Sequence, residues 1–145
     1  SGVKVNLEIH MTYITPSAAL AHRLVSHFDP RYIGVIYDPG NMVREGYEAW
    51  RLGLELLGPY VSHVHVKNAA WEPAGQEEDG TQRWEAREAP LWKGLVNWRQ
   101  VLAELRIAGY EGYLSLEDFS IAQPTREKLA ADLAYLKRLE EGTVG

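Results

Sequence analysis

The sequence predicts an α/β fold in which four strands alternate with helices and form a parallel sheet. Short runs rich in β-branched and aromatic residues recur along the chain, and a stretch with apolar residues at helical spacing follows each of them. Regular alternation of such units favours parallel strands that are covered by helices. The chain has 145 residues, of which 46% are hydrophobic and 24% charged, the balance of a globular domain.

The first half of the chain contains two strand–helix units. Residues 3–9 alternate and predict a strand, and Thr15-Pro16-Ser17 offers an N-cap and an early proline for a helix that runs to residue 28. Residues 32–37 are almost continuously apolar, as in a strand buried on both faces. Residues 38–41 (DPGN) have the chemistry of a turn, and a helix over about 45–57 follows.

The second half contains two further units, separated by a segment of different composition. Residues 60–67 alternate and predict a strand. Residues 68–93 are rich in Gly, Pro, Glu and Gln and contain three tryptophans, which predicts a long inserted loop. A helix over 97–108, a short strand over 112–116 and a closing helix over 125–139 complete the pattern.

Two architectures fit four such units: a doubly wound open sheet, or part of a (β/α)₈ barrel. A doubly wound sheet often carries a glycine-rich phosphate loop after an early strand, and the sequence contains neither GxGxxG nor GxxxxGK[ST]. A complete barrel needs roughly 250 residues, so four units would form half of one.

The predicted strands all end in residues that can bind a metal. The strand ends contribute Glu8, Asp38, His65 and Glu117, and the carboxyl ends of parallel strands meet at one edge of the sheet. Any one of these carboxylates could instead cap a helix or face solvent. Together, three carboxylates and one imidazole form an oxygen-rich set that suits Mn²⁺, Mg²⁺ or Co²⁺.

Neighbouring polar residues have two interpretations each. By the period of two, His63 lies on the same face as His65, and we expect His63 to be a hydrogen-bonded core histidine. Lys67 follows on that face, either as a solvated lysine or as a donor to a substrate hydroxyl or carbonyl. His10 shares a face with Glu8. It either contacts substrate or forms a hydrogen bond to a neighbouring group at the carboxyl edge of the sheet.

Composition excludes several classes of function. The net charge of −5 provides no basic footprint for nucleic acid or an anionic membrane. The absence of cysteine excludes disulfide scaffolds, thiolate metal sites and cysteine nucleophiles. No apolar run approaches the roughly 20 residues that span a bilayer, and the first residues do not resemble a signal peptide. We therefore expect a cytoplasmic protein with no nucleic-acid or membrane partner.

Four motifs together resemble a known superfamily. The sequences LEIH (7–10), YDPGNM (37–42), HVHVKN (63–68) and LEDF (116–119), in this order and spacing, resemble the C-terminal half of the xylose-isomerase-like TIM barrel superfamily. Its members include sugar phosphate isomerases and epimerases, inosose dehydratases and endonuclease IV. The resemblance covers essentially the whole chain, residues 1–145, as the last four of eight βα units.

The resemblance implies a site and a chemistry. Glu8, Asp38, His65 and Glu117 match the metal ligands of the superfamily, and Glu8 and Glu117 match the acid/base pair of its ketose epimerases. We expect a divalent metal, Mn²⁺ first and Mg²⁺, Co²⁺ or Zn²⁺ as alternatives, that stabilises an enediolate. The implied activity is isomerisation or epimerisation of a small carbohydrate, sugar phosphate or polyol. A dehydratase of the inosose or dehydroshikimate type is the alternative on the same scaffold.

His10, Asn41 and Lys67 are the expected substrate-binding residues. Asn41 departs from the superfamily, since many relatives have a histidine three residues after the aspartate. Asparagine can bond a sugar hydroxyl but cannot titrate near neutrality, which puts in doubt any reaction that needs a proton carrier there. The endonuclease branch needs more metal ligands than this half offers, and an acidic chain binds DNA poorly.

Two expectations concern surfaces. The tryptophans of the inserted loop, Trp71, Trp84 and Trp92, either anchor that loop or form a lid or partner surface. A half barrel leaves two sheet edges and an apolar interior open, so we expect self-association or pairing with a missing N-terminal half. A self-associating half barrel without activity of its own is therefore the non-enzymatic alternative.

Overall fold

A computed structural model describes residues 2–121 and 123–142 of the chain. Strands and helices alternate as the sequence predicts, with an additional pair of strands in the middle of the chain. In chain order the elements are β1 (Val5–Glu8), α1 (Ala18–Val25), β2 (Ile33–Tyr37), α2 (Pro39–Met42), α3 (Trp50–Leu57), a 3₁₀ turn (Gly58–Tyr60), β3 (Val61–Val66), β4 (Asn68–Gln76), β5 (Gln82–Ala89), α4 (Trp98–Ile107), β6 (Leu114–Leu116) and α5 (Thr125–Glu141).

The main sheet has four parallel strands in the order β1-β2-β3-β6. Each strand pairs with the next strand of this sheet along the chain, since β4 and β5 form a separate two-stranded sheet. A doubly wound sheet reverses its strand order at a switch point, so this topology is that of a barrel segment. The prediction of four βα units forming half of a (β/α)₈ barrel is confirmed. The carboxyl ends meet at one edge, where Glu8 pairs with Ile36 and Val66 pairs with Leu116.

The helices cover one face of this sheet. Helix α3 packs between α1 and α4, and α5 packs against α4. Apolar side chains that alternate along the central strands, such as Val35, Tyr37, Val64 and Val66, are completely buried in the core. The burial of these side chains supplies the main driving force for this layer.

Helix α1 begins later than predicted. Its N-cap is Ser17, whose hydroxyl accepts a hydrogen bond from the backbone N–H of Leu20 at 3.3 Å. Thr15, in the predicted N-cap segment, instead donates its hydroxyl to the backbone oxygen of Glu8 at 3.3 Å. Thr15 therefore connects the end of β1 to the loop that follows it.

Helix α3 begins at Trp50, five residues after the predicted start. The acidic side chains before Trp50 bind other segments. Glu45 accepts a hydrogen bond of 2.8 Å from the backbone N–H of Thr12, and Glu48 accepts one of 3.2 Å from the backbone N–H of Ala19. Gly46 adopts a left-handed conformation with a φ of 81°, which interrupts a helical path. Residues 45–49 therefore form a connection that is held by tertiary hydrogen bonds, instead of the predicted start of the helix.

The predicted loop over 68–93 is wrong for most of its length. Strands β4 and β5 pair antiparallel, with Trp71 opposite Ala86 and Pro73 opposite Trp84. The turn contains Asp79-Gly80, in which Gly80 has a φ of 88°. This Asp-Gly pair, between two segments of suitable length, was the available signal for a hairpin.

Among the residues described, no helix combines the length and apolar character that crossing a membrane requires.

Candidate metal centre

The four predicted metal ligands converge at the carboxyl edge of the sheet. Glu8, Asp38, His65 and Glu117 each offer one donor atom, and these atoms all lie within 4.8 Å of one another. The Nδ1 atom of His65 lies 3.3 Å from Glu8 Oε1, 3.4 Å from Asp38 Oδ2 and 3.3 Å from Glu117 Oε2. Three hard carboxylate oxygens and one imidazole nitrogen fit a divalent ion such as Mn²⁺ or Mg²⁺.

Asp38 is held in place by the residues predicted as a turn, which form the single helical turn α2. Its Oδ1 atom accepts the backbone N–H of Asn41 at 2.9 Å and so caps this turn. The carboxylate is completely buried. With Oδ1 engaged in the cap, Oδ2 is the oxygen that faces His65.

Asn41 lies between two of the candidate ligands. Its side-chain nitrogen is 2.9 Å from Asp38 Oδ2, 3.3 Å from Glu8 Oε1 and 3.0 Å from the backbone oxygen of Ile9. This nitrogen carries two hydrogens, which it donates among these three acceptors. The structure thus places the Asn41 amide against ligand oxygens, and its contact with substrate stays a prediction.

Lys67 also points into the ligand group. Its ammonium lies 2.9 Å from Asp38 Oδ2 and 4.0 Å from Glu8 Oε1, and it hydrogen-bonds Glu117 Oε2. The side chain is only 8% exposed, which excludes the alternative of a solvated lysine. Burial alone would lower the pKa of Lys67, but the charges and hydrogen bonds of Asp38 and Glu117 outweigh it and raise that pKa.

The environment of His65 favours its protonated form. The hydrogen bond to Asp38 raises the pKa of His65, and the charges of Glu117, Asp38 and Glu8 add to this effect against the opposing effect of burial. A metal ion needs the lone pair of neutral Nδ1, so a proton and a metal compete at this atom.

His63 has the structural role expected from the sequence. Its Nε2 atom lies 2.8 Å from the hydroxyl of Ser115 on β6, deeper in the sheet than the ligand group. Burial lowers the pKa of His63, and the neighbouring His65 ring, 5.5 Å away and edge-on, lowers it further. The predicted hydrogen bond of His63 is confirmed, but the side chain is only half-buried and does not belong to the core.

A cavity of about 390 Å³ opens beside Glu8. Its walls include His10 and Tyr13, whose rings meet edge to face at 4.9 Å. His10 donates from Nδ1 to the backbone oxygen of Met11 at 2.7 Å. His10 is predicted near the site from the sequence, whereas Tyr13 is not, since its sequence signal is no more than a position three residues further along the same loop.

The β4–β5 hairpin is fastened next to α2. Trp71 donates its indole N–H to the backbone oxygen of Val43 at 3.2 Å, and Arg44 forms an ion pair with Glu88. Trp84 lies on the same face of the hairpin as Trp71 and is 56% exposed. The role of this aromatic face as a lid or partner surface stays a prediction.

Trp92, which follows the hairpin, has an anchoring contact. Its ring meets that of Tyr135 on α5 at 6.2 Å. Like Trp71, Trp92 therefore fits the interpretation of a residue that anchors the inserted segment, in this case to the helical layer.

Known proteins are similar to this chain in both sequence and fold. An inosose dehydratase from Geobacillus thermodenitrificans is 27% identical over an alignment of 141 positions, and the match covers 90% of this chain and 46% of that protein. The structure of a xylose isomerase domain protein from Planctomyces limnophilus matches with a TM-score of 0.73 and 26% identity, over 96% of this chain and 47% of that one. The chain spans about half the length of the curated relatives it matches.

Further solved structures extend the comparison of the fold. A xylose isomerase-like TIM barrel protein from Mycobacterium smegmatis, in complex with magnesium, matches with a TM-score of 0.72 and 21% identity, over 95% of this chain and 44% of that one. Several epimerases and a probable dehydratase share the fold as well. Residues 1–139 match the family described as xylose isomerase-like TIM barrel. The chain therefore belongs to the xylose isomerase-like TIM barrel family.

Proposed function

We propose that this chain carries the metal-binding part of the active site of an isomerase or epimerase that acts on a small carbohydrate or polyol. The observation that carries the proposal is the convergence of three carboxylates and one imidazole, one from each strand of the sheet, within 4.8 Å. Family membership supports a catalytic role for this edge, because the active sites of such barrels lie at the carboxyl ends of the strands.

The three carboxylates differ in their access to a substrate. Asp38 is completely buried, whereas Glu8 and Glu117 are 33% and 30% exposed. Glu8 ends β1 and Glu117 follows β6, the two outer strands of the sheet, so they approach the site from opposite sides. In the proposed reaction one of them removes a proton next to a carbonyl and the other returns a proton to the opposite face.

The ligands Glu8, Asp38, His65 and Glu117 would hold a divalent ion, with Mn²⁺ as the first candidate. When bound, such an ion acts as a Lewis acid that stabilises negative charge on a substrate carbonyl and its neighbouring hydroxyl. Lys67, His10 and Asn41 surround the same edge and would bind substrate oxygens.

A dehydratase is the second candidate, and the 27% identity to an inosose dehydratase favours it. A dehydratase would remove the same proton but then expel a β-hydroxyl instead of reprotonating the carbon. The catalytic carboxylates and the metal would be the same in both reactions. The two candidates therefore differ only in the fate of the intermediate.

An assay in D₂O with added Mn²⁺ distinguishes these candidates. A panel of ketoses would be followed by NMR for deuterium incorporation and epimer formation. A panel of cyclic keto-polyols would be followed for the ultraviolet absorbance of an enone. Deuterium incorporation with epimer formation supports the epimerase, and enone formation supports the dehydratase. Failure to bind Mn²⁺, measured by isothermal titration calorimetry, would contradict both proposals.

A further inference from the structure

Lys67 brings a positive charge into the group of candidate metal ligands. Its ammonium contacts Asp38 Oδ2, Glu117 Oε2 and, at 4.0 Å, Glu8 Oε1. These are the same three oxygen atoms that face Nδ1 of His65. A metal held by these ligands therefore has to share its oxygens with the ammonium.

We propose that Lys67 is a built-in counter-cation of this site, which competes with the divalent metal for Asp38 and Glu117 and turns away when the metal binds. The inference rests on the proposed function, because it needs the metal site described there. It assigns Lys67 a role in setting metal affinity, separate from its expected contact with substrate.

Electrostatics explain why the ammonium and the metal exclude each other. Three carboxylates this close together repel one another, and an ammonium among them reduces that repulsion. A divalent ion reduces it more, but it also repels a cation that shares its oxygens. The ammonium must therefore give up its contacts with Asp38 and Glu117 as the metal takes them, and metal binding is weakened by the cost of that exchange.

The surroundings of Lys67 provide room for its stem and an aromatic ring beside its charge. A Cβ atom at Gly40 would overlap Cγ of Lys67 and would lie 3.1 Å from its backbone oxygen, so the absence of a side chain at residue 40 lets the stem pass. The ring of Phe119 has its centre 5.6 Å from the Lys67 nitrogen and is 58% exposed. An aromatic face attracts an ammonium ion, so it can hold the displaced charge at the open side of the site.

Calorimetric titration with MnCl₂ tests this role directly. The variants Lys67→Met and Lys67→Gln remove the charge, and Gln keeps an N–H donor for Asp38. Lys137→Met removes the same charge from an exposed position on α5 and serves as the control. We expect both Lys67 variants to bind Mn²⁺ at least tenfold more tightly than the unchanged protein, and the control to bind it equally.

Two further measurements separate competition from general damage to the site. Without Mn²⁺, the Lys67 variants should unfold at a lower temperature than the unchanged protein, and saturating Mn²⁺ should raise their unfolding temperature more. Phe119→Leu removes the aromatic ring that would hold the displaced ammonium of Lys67, so it should weaken Mn²⁺ binding about threefold.

Three results would overturn the inference. If the unchanged protein binds Mn²⁺ and folded Lys67 variants bind it no more tightly, the counter-cation role is wrong and the metal site stands. If Phe119→Leu binds Mn²⁺ as tightly as the unchanged protein, the displaced position is wrong. If neither the unchanged protein nor any variant binds Mn²⁺, the proposed function fails and this inference fails with it.

Discussion

Asn41 and Asp38 hold each other in place through two hydrogen bonds of 2.9 Å. Asp38 Oδ1 accepts the backbone N–H of Asn41, and the side-chain nitrogen of Asn41 donates back to Asp38 Oδ2. Because that nitrogen also contacts Glu8 Oε1 and the backbone oxygen of Ile9, one amide orients two candidate ligands from neighbouring strands. Such partners of metal ligands contribute to affinity although they do not touch the metal.

We therefore expect Asn41→Leu to weaken Mn²⁺ binding by roughly 10- to 100-fold while the fold is kept. The leucine has a similar volume but cannot donate to Asp38 or Glu8. Calorimetric titration with MnCl₂ measures the loss. Asn97→Leu is the matched control, because the Asn97 side chain accepts the backbone N–H of Gln100 and caps α4. The control should cost about 1 kcal/mol of stability and leave Mn²⁺ affinity unchanged.

Asn41→Leu with unchanged Mn²⁺ affinity would show that Asp38 and Glu8 are oriented by the strands alone.

The two partly exposed carboxylates of the site, Glu8 and Glu117, give a second prediction. Glu8→Gln and Glu117→Gln should each lower turnover by roughly 10²- to 10⁴-fold, since each removes one proton-transfer group. If the two residues serve opposite faces of the substrate, each variant should still exchange deuterium with one epimer and not with the other. NMR in D₂O, at Mn²⁺ concentrations that restore metal occupancy, distinguishes the two faces. Glu111→Gln, at an exposed position before β6, is the control.

A Glu117→Gln variant that exchanges both epimers at the original rate would exclude Glu117 as acid or base.

The convergence of the ligands could be predicted from the sequence, and the contacts that orient them could not. Parallel strands necessarily bring their carboxyl ends to one edge, so Glu8, Asp38, His65 and Glu117 follow from strand order alone. The position of Asn41 depends on α2, a single helical turn that is read from the sequence only as a turn.

Tertiary hydrogen bonds explain the other differences between prediction and structure. Helix α3 begins late because Glu45 and Glu48 bind the backbone of distant residues, and no local pattern encodes such partners. Composition alone predicts a loop where β4 and β5 form a hairpin. Its strands are exposed and rich in charged residues, so they lack the clear apolar alternation of a half-buried strand.

The open flanks of the sheet give a third prediction. Strands β1 and β6 are the edge strands of this sheet, and exposed apolar side chains occur on β1 and on the closing helix α5, including Val5 at 63% and Leu133 at 48%. Unpaired parallel edges with apolar neighbours favour association, so we expect this chain alone to form oligomers. Size-exclusion chromatography with light scattering measures the mass.

The double variant Val5→Lys/Leu133→Lys places a charge at each flank and should shift the population to monomer. Leu52→Lys is the control, because Leu52 is 64% exposed on α3, a helix packed between two others. A monomeric unchanged chain would contradict the expected self-association.

A buried polar cluster near α5 gives a prediction about pH. Asp132 is completely buried, and neither of its carboxylate oxygens has a hydrogen-bond partner among the described residues. Desolvation, together with the charge of Asp118, raises the pKa of Asp132 to about 6, against an opposing effect of Lys128. The ammonium of Lys128 donates a hydrogen bond of 2.7 Å to the backbone oxygen of Ser120.

A raised carboxyl pKa destabilises the folded protein at neutral pH. The unfolded chain ionises Asp132 near its ordinary pKa of 3.8, whereas the folded protein keeps the proton until about pH 6. The stabilising effect of the protonated form is therefore complete below about pH 4 and is lost as the pH rises to 6. A difference of about 2 pKa units corresponds to as much as about 3 kcal/mol.

Asp132→Asn removes this ionisation while keeping the size of the side chain. We expect it to raise the free energy of unfolding at pH 7.5 by up to about 3 kcal/mol and to change it little at pH 4. Urea unfolding at the two pH values, followed by circular dichroism, measures both quantities. A variant that is less stable than the unchanged protein at pH 7.5 would show instead that the ionised carboxylate of Asp132 is stabilised by its surroundings, with Lys128 as the nearest candidate cation in the cluster.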